Sequence, residues 1–217
     1  MKNGKKLVAV MPIKLNNERL PGKNTKLLGD KPLIQYQLDM LLQVEEVDEI
    51  YVYCSNPAVK EYLPEGVQFL QRSEKLDLPT ANFSEIFTSF MQDKDADVYM
   101  YVHATAPFVT VETTKECIEA VCEKDYDSAF CAVMIQDFLW KDNKPLNFEA
   151  DKVPRSQDIE PIWRETSGVY VFEKEVFSSL HRRIGNNPYI KNVSFKESID
   201  INNPEDFVLA EMFVEEK

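Results

Sequence analysis

Short runs of β-forming apolar residues alternate with stretches of helical periodicity along this chain. That alternation confines it to an α/β fold with a mainly parallel sheet flanked by helices. Strands are expected at Leu7 to Met11, Ile50 to Cys54, Val67 to Leu70, Val98 to Val102, Ser128 to Ile135 and Gly168 to Glu173, with a last short one at Ser198 to Ile201. Helical spacing marks Leu33 to Leu42, Ala58 to Tyr62, Phe83 to Met91, Val111 to Lys124 and Val176 to Leu180. A further helix starts at Pro204, with Asn203 as its cap, and Pro32 suits the first turn of the helix that it precedes. The VYMYV run, Val98 to Val102, is the most strand-like and belongs near the sheet centre. Residues 73–82 read as a polar loop and 185–195 as turns.

Residues 136–165 break the alternation, mixing Trp140, Pro145, Pro154, Pro161 and Trp163 with many charges. They form either an extended arm whose aromatics meet a partner, or a solvated loop whose aromatics fold back. The arm reading implies a homodimer.

With 217 residues the chain is long enough for one domain with a full core. A net charge of −12 argues against a nucleic-acid-binding face, which needs clustered Lys and Arg. Cys54, Cys117, Cys122 and Cys131 contain no C-x-x-C pair, so buried thiols are expected rather than zinc. No apolar stretch is long enough to span a membrane, and the apolar run after MKNGKK is too short for a signal peptide. A cytoplasmic location with reduced thiols is the resulting expectation.

Against this acidic background, the segment after the first strand carries Lys14, Arg19, Lys23 and Lys26 around Gly22. A cationic loop at the carboxyl end of a first strand is where open α/β sheets bind anionic ligands. A solubilising loop paired with Glu18 and Asp30 is the alternative. There is no Walker A sequence and no G-x-G-x-x-G, which excludes a P-loop NTPase and weakens a dinucleotide reading. The basic run His181-Arg182-Arg183 reads as a solvated helix end.

Pro12-Ile13-Lys14, Arg19-Leu20-Pro21-Gly22-Lys23-Asn24 and Gly29-Asp30-Lys31-Pro32-Leu33-Ile34 resemble the opening of the sugar-acid cytidylyltransferases. That opening runs P-A-R, then R-L-P-G-K, then G-K-P-L-I. Tyr101 to Phe108 is similar to the family's L-L-Q-P-T-S-P-L, Arg155 to Tyr170 to its R-R-Q … E-N-G-A-I-Y, and Ser198 to Phe207 to its I-D-I-D-T-P-E-D-F. These ordered matches span nearly the whole chain.

The resemblance implies a Rossmann-like nucleotidyltransferase that moves CMP from CTP to the anomeric hydroxyl of a sialic-acid-like 2-keto sugar acid. It implies nucleotide contacts from Pro12, Ile13, Lys14, Asn16, Arg19, Lys23, Ser55, Arg72 and Thr80. Catalysis would rest on Lys14, Arg19, Lys23 and Asp200, with Mg²⁺ held by Asp200 and Asn202. Arg72 has a second reading, a surface residue paired with Glu74. Sugar contacts would come from His103, Thr105, Gln157, Thr166 and Tyr170, with His103 also a possible proton acceptor at the pKa of an ordinary imidazole. The chain leaves the family pattern at Lys14 (for Arg), Glu18 (for Lys), His103 (for Gln), Thr166 (for Asn) and Asn202 (for Asp). The changes at His103 and Thr166 fall where the resemblance puts sugar contacts and imply a different acceptor or a weakened enzyme.

Overall fold

The computed structural model describes residues 3–215. In chain order the elements are β1 (Leu7–Pro12), β2 (Leu27–Leu28), β3 (Lys31–Pro32), α1 (Leu33–Leu41), β4 (Glu49–Cys54), β5 (Val67–Gln71), α2 (Phe83–Asp93), β6 (Val98–Val102), α3 (Val111–Glu123) and β7 (Ser128–Ile135). There follow β8 (Trp140–Lys141), β9 (Lys144–Pro145), β10 (Ile162–Glu173), α4 (Lys174–Leu180), β11 (Pro188–Asn192) and α5 (Pro204–Glu215).

Seven strands form the central sheet in the order β11-β7-β10-β6-β1-β4-β5. All its neighbours pair in parallel except β10, which runs antiparallel to both β6 and β7. Both faces of β1 and β6 are buried, which explains why these strands are unbroken apolar runs. Alternate residues feed opposite cores. Leu7, Ala9, Met11, Val98, Met100 and Val102 pack with Ile34, Leu38, Ile118 and Val121 of α1 and α3. Val8, Val10, Tyr99 and Tyr101 pack with Phe87, Phe90 and Phe177 of α2 and α4. The Phe87 ring lies 5.0 Å from Tyr99, 5.1 Å from Phe172 and 4.7 Å from Phe177, mostly edge to face.

A smaller core matters more for function. Ile199, Ile201, Phe207 and Ala210 pack on Leu28 and Leu33. This seats the closing segment beside the cationic loop, and the Ile201 N–H donates to the Thr105 carbonyl at 2.8 Å. Asp200 is thereby fixed between two buried isoleucines.

Several boundaries differ from expectation. Ser198 to Ile201 is not a strand: Ser198 and Ile199 donate to carbonyls at Ser194, Phe195 and Lys196, closing turns. Within 185–195, Pro188–Asn192 is an edge strand parallel to β7. Residues 162–165, assigned above to the excursion, already belong to β10 and pair with 132–135 of β7, ahead of a register shift between Glu165 and Tyr170. Ala58 to Tyr62 lies in a 3-10 helix, Pro57–Tyr62, and the 73–82 loop contains another, Glu74–Asp77. The excursion holds a tight hairpin whose turn residues Asp142 and Asn143 have φ of 51° and 60°.

Candidate active site

The carboxyl ends of β1 and β6 open into a cavity of about 410 Å³. Pro12, Ile13, Lys14 and Lys23 line it from the first strand and its loop, Arg72 and Asp77 from the end of β5 and the turn that follows. His103 and Thr105 enter after β6, and Asp200 and Asn202 from the closing segment. Segments far apart in sequence thus converge at the edge where parallel sheets bind ligands.

Lys23 follows Gly22, which takes the left-handed conformation at φ 65° and turns the loop inward. The Lys23 side chain is buried, its Nζ donating to the Ile201 carbonyl at 2.7 Å. Burial lowers its pKa; Asp200 opposes that shift and Arg19 reinforces it. Asn24, also buried, donates through Nδ2 to the Lys14 carbonyl at 2.9 Å and fixes the loop from within.

Asp77 is a hub that no motif signalled. Its carboxylate accepts two bonds from the buried Arg72 guanidinium, from Nε at 3.2 Å and Nη2 at 2.8 Å, and one from Ser55 Oγ at 2.6 Å. Its backbone carbonyl accepts from Lys14 Nζ at 3.0 Å. Arg72 is therefore not a surface residue paired with Glu74.

Asn202 links two expected site residues. Its Nδ2 donates to Asp200 Oδ2 at 2.7 Å, and its Oδ1 accepts from Arg19 Nη2 at 2.8 Å. The other carboxylate oxygen, Asp200 Oδ1, is buried with no hydrogen-bond partner. An orphaned buried carboxylate oxygen on a residue that lines the cavity fits Mg²⁺, which takes few protein carboxylates and completes its shell with other oxygens and water. Among the described residues no group of three or more His, Cys, Asp or Glu could hold a metal by itself.

His103 departs from the ordinary imidazole assumed from sequence. Desolvation, with the Arg183 guanidinium second, pushes its pKa down to about 4, against a weaker opposing pull from Asp200. At neutral pH it is an uncharged hydrogen-bonding group and a poor proton acceptor. Arg183 itself is not part of a solvated helix end. His181 closes α4 in the left-handed conformation, φ 53°, and turns the chain back. Arg183 then reaches Tyr170 Oη at 2.9 Å and Glu165 Oε1 at 3.2 Å, with Nη1 3.4 Å from His103 Nε2.

The remaining expected residues are dispersed. Arg19 borders two neighbouring cavities of about 400 and 320 Å³, while Asn16 and Ser55 line another of about 660 Å³. Thr80 is exposed on the turn after Pro79. Gln157 is exposed, and its carbonyl accepts from Gln136. Thr166 is buried, its hydroxyl donating to the Cys131 carbonyl at 3.0 Å, which makes it a strand tie. Tyr170 is buried beside His103, its hydroxyl donating to Glu165. All four cysteines are free and buried.

A cytidylyltransferase family model matches residues 8–217. The chain belongs to this family. Among curated relatives, a Legionella pneumophila CMP-N,N'-diacetyllegionaminic acid synthase is 27% identical over 230 residues, covering 97% of each chain. A Streptococcus agalactiae N-acylneuraminate cytidylyltransferase is 22% identical, covering 94% of this chain and 52% of that protein. The chain thus spans about half the length of that relative. A Christiangramia forsetii 3-deoxy-manno-octulosonate cytidylyltransferase is 22% identical over 195 residues, covering 82% of this chain and 77% of that protein. Among solved structures, a CMP:2-keto-3-deoxy-manno-octonic acid synthetase complexed with CTP superposes with a TM-score of 0.71 at 16% identity, covering 97% of this chain and 98% of that one. The Anaerococcus prevotii 4-diphosphocytidyl-2C-methyl-D-erythritol synthase superposes at 0.70 and 12% identity, covering 98% and 97%. The fold is accordingly that of the nucleotidyltransferases.

Proposed function

We propose that this cytidylyltransferase transfers CMP from CTP to the anomeric hydroxyl of a sialic-acid-like 2-keto sugar acid and releases pyrophosphate. The observation that carries the proposal is the convergence of Lys14, Lys23 and Asp200 on one cavity at the carboxyl edge of the sheet. The likeness to the diacetyllegionaminic acid synthase over the full length of both chains supports a nonulosonic acceptor.

In this reading the acceptor hydroxyl attacks the α-phosphorus in line, and negative charge grows on the departing pyrophosphate. Lys14 and Lys23 hold that charge, with Arg19 closing from the rim. Because both lysines are already bonded to carbonyls of the chain, little reorganisation is needed on binding. Asp200 Oδ1, with Asn202 beside it, would hold Mg²⁺. When bound, such an ion would supply positive charge to offset that of the phosphates. His103, neutral at pH 7, orients the acceptor by hydrogen bonding. The excursion is proposed as a dimerisation arm and the cytoplasm as the place of reaction; among the described residues no helix is long and apolar enough to cross a membrane.

The test is pyrophosphate release with Mg²⁺, each common nucleoside triphosphate and a panel of 2-keto sugar acids. Turnover with CTP is expected; turnover confined to another triphosphate, or none with any acid, overturns the reading. Asn202 in place of Asp favours a second reading, a weakened nucleotide-binding homologue. It would bind CTP in a thermal-shift assay without releasing pyrophosphate.

A further inference from the structure

The loop after α4 is built to deliver one side chain. The Asp127 carboxylate accepts the N–H groups of Asn186 at 2.7 Å and Asn187 at 3.0 Å, and the Ser128 hydroxyl at 2.8 Å. Ser128 Oγ in turn accepts the Gly185 N–H at 2.8 Å. A Cβ on Gly185 would lie 2.2 Å from Asp127 Oδ2, so only glycine allows the loop to sit this close. The loop is thus clamped to the start of β7 immediately after Arg183.

The guanidinium so delivered stacks on the Tyr170 ring, 3.7 Å from its centroid, and bonds to the Tyr170 hydroxyl. This fixes its plane. One edge stands beside His103, which lines the cavity. The carboxylate that faces it is Glu165, 3.2 Å from Arg183 and held more closely by the Tyr170 hydroxyl at 2.5 Å, with side chains 25% and 44% exposed for Arg183 and Glu165. An exposed pair of this length is weak and easily exchanged. A planar, preorganised cation directly behind a cavity-lining residue, whose own carboxylate partner is bonded more closely to Tyr170, has capacity left for a carboxylate from outside.

We infer that Arg183 is a specificity-determining residue that binds the carboxylate of the acceptor, Glu165 occupying its place until the acceptor enters. The inference rests on the sugar-acid reading above and assigns the acid group to a residue outside the motifs that suggested that reading. The two anions of the reaction are then separated. Lys14, Arg19 and Lys23 serve the triphosphate, and Arg183, across His103, serves the acceptor. The neutral imidazole between them adds no charge that would blur the distinction.

The test compares Arg183→Gln and Arg183→Lys with wild type in pyrophosphate release. The acceptor is whichever of N-acetylneuraminate, N,N'-diacetyllegionaminate and 3-deoxy-manno-octulosonate wild type uses best, offered as the acid and as its carboxamide. The expected loss is one charge-assisted bidentate contact: Arg183→Gln raises KM for the acid about tenfold to a hundredfold, with KM for CTP within about twofold. Wild type should prefer the acid to the amide, and Arg183→Gln should not. Arg183→Lys, which keeps the charge but not the fork, should fall between them, and it carries the test if the Gln variant melts early. An unchanged acid-over-amide preference in both variants overturns the inference and leaves the enzyme assignment standing. No turnover by wild type with any of the acids overturns the assignment itself, and the inference with it.

Discussion

Asn202 Nδ2 donates to Asp200 Oδ2 at 2.7 Å, so one oxygen of the expected metal-binding carboxylate is already in use and the other, Oδ1, is buried without a hydrogen-bond partner. Replacing this amide by a carboxylate would put two negative groups where a hydrogen bond now stands. Asn202→Asp should therefore melt at a lower temperature than wild type in EDTA, by a few degrees. It should recover more than wild type when Mg²⁺ is added, because a ligand that binds only the folded state stabilises it in proportion to its affinity. Differential scanning fluorimetry across a Mg²⁺ titration reads both effects. Equal magnesium-dependent shifts in the two proteins would remove Asp200 and Asn202 from the metal site.

Asp200→Ala should abolish turnover while keeping the fold. The backbone at Asp200 is anchored by its neighbours: Ile199 and Ile201 supply the core contacts and the Ile201 N–H the bond to Thr105. The check is pyrophosphate release beside a circular-dichroism melt. Wild-type rate at low magnesium would show that the carboxylate has no part in the reaction.

Lys23→Met keeps most of the side-chain volume in a buried position but removes the ammonium that bonds the Ile201 carbonyl. Loss of a charge-assisted contact of about 1.5–3 kcal/mol should raise KM for CTP about tenfold to a hundredfold. The acceptor KM should hardly change. A CTP titration at saturating acceptor separates the two, and an unaltered KM for CTP would exclude Lys23 from the triphosphate clamp.

The central strands were legible because both their faces are buried, leaving nothing but apolar β-formers between Leu7 and Met11 or Val98 and Val102. The edge strand Pro188–Asn192 was not legible, since its half-buried PYIKN sequence carries turn formers rather than a pattern. Ser198 to Ile201 misled for a physical reason. Ile199 and Ile201 point into a small core while Asp200 points into the cavity, which reproduces strand alternation without a ladder partner. The cationic loop could be read because its charges are consecutive with the first strand. Asp77 and Arg183 could not, because the partners that bring them to the site are distant in sequence: Asp77 meets Lys14 and Ser55, and Arg183 meets His103 across 80 positions.

His103 makes the protein sensitive to acid. Its folded pKa, near 4, lies below the ordinary imidazole value of 6.5. Between those values the unfolded chain binds a proton at this site that the folded chain does not, so stability rises with pH through this window. Melting temperature should therefore fall as pH drops from about 6.5 towards 4, and His103→Gln should flatten that slope. Parallel melts at pH 7, 6, 5 and 4.5 test this. An equal fall in wild type and variant would assign the acid sensitivity to other groups.

The hairpin arm gives the last expectation. Phe138 and Trp140 both pack their rings on Phe148, yet Phe138 is 41% exposed, Trp140 61% and Leu146 53%. These residues form a local apolar cluster that the body of the chain does not cover. Such a cluster costs solubility unless a partner removes it from water, and stable partners remove about 1,600 Å² in total. A second copy using the same arm would bury the cluster symmetrically. Wild type should therefore elute as a dimer at micromolar concentration by light scattering, with a melting temperature that rises with protein concentration. Trp140→Glu, which puts a charge where the interface would be dry, should elute as a monomer with unchanged secondary structure. If wild type is monomeric and its melting temperature does not depend on concentration, the arm lies free in solution and its aromatics serve only each other.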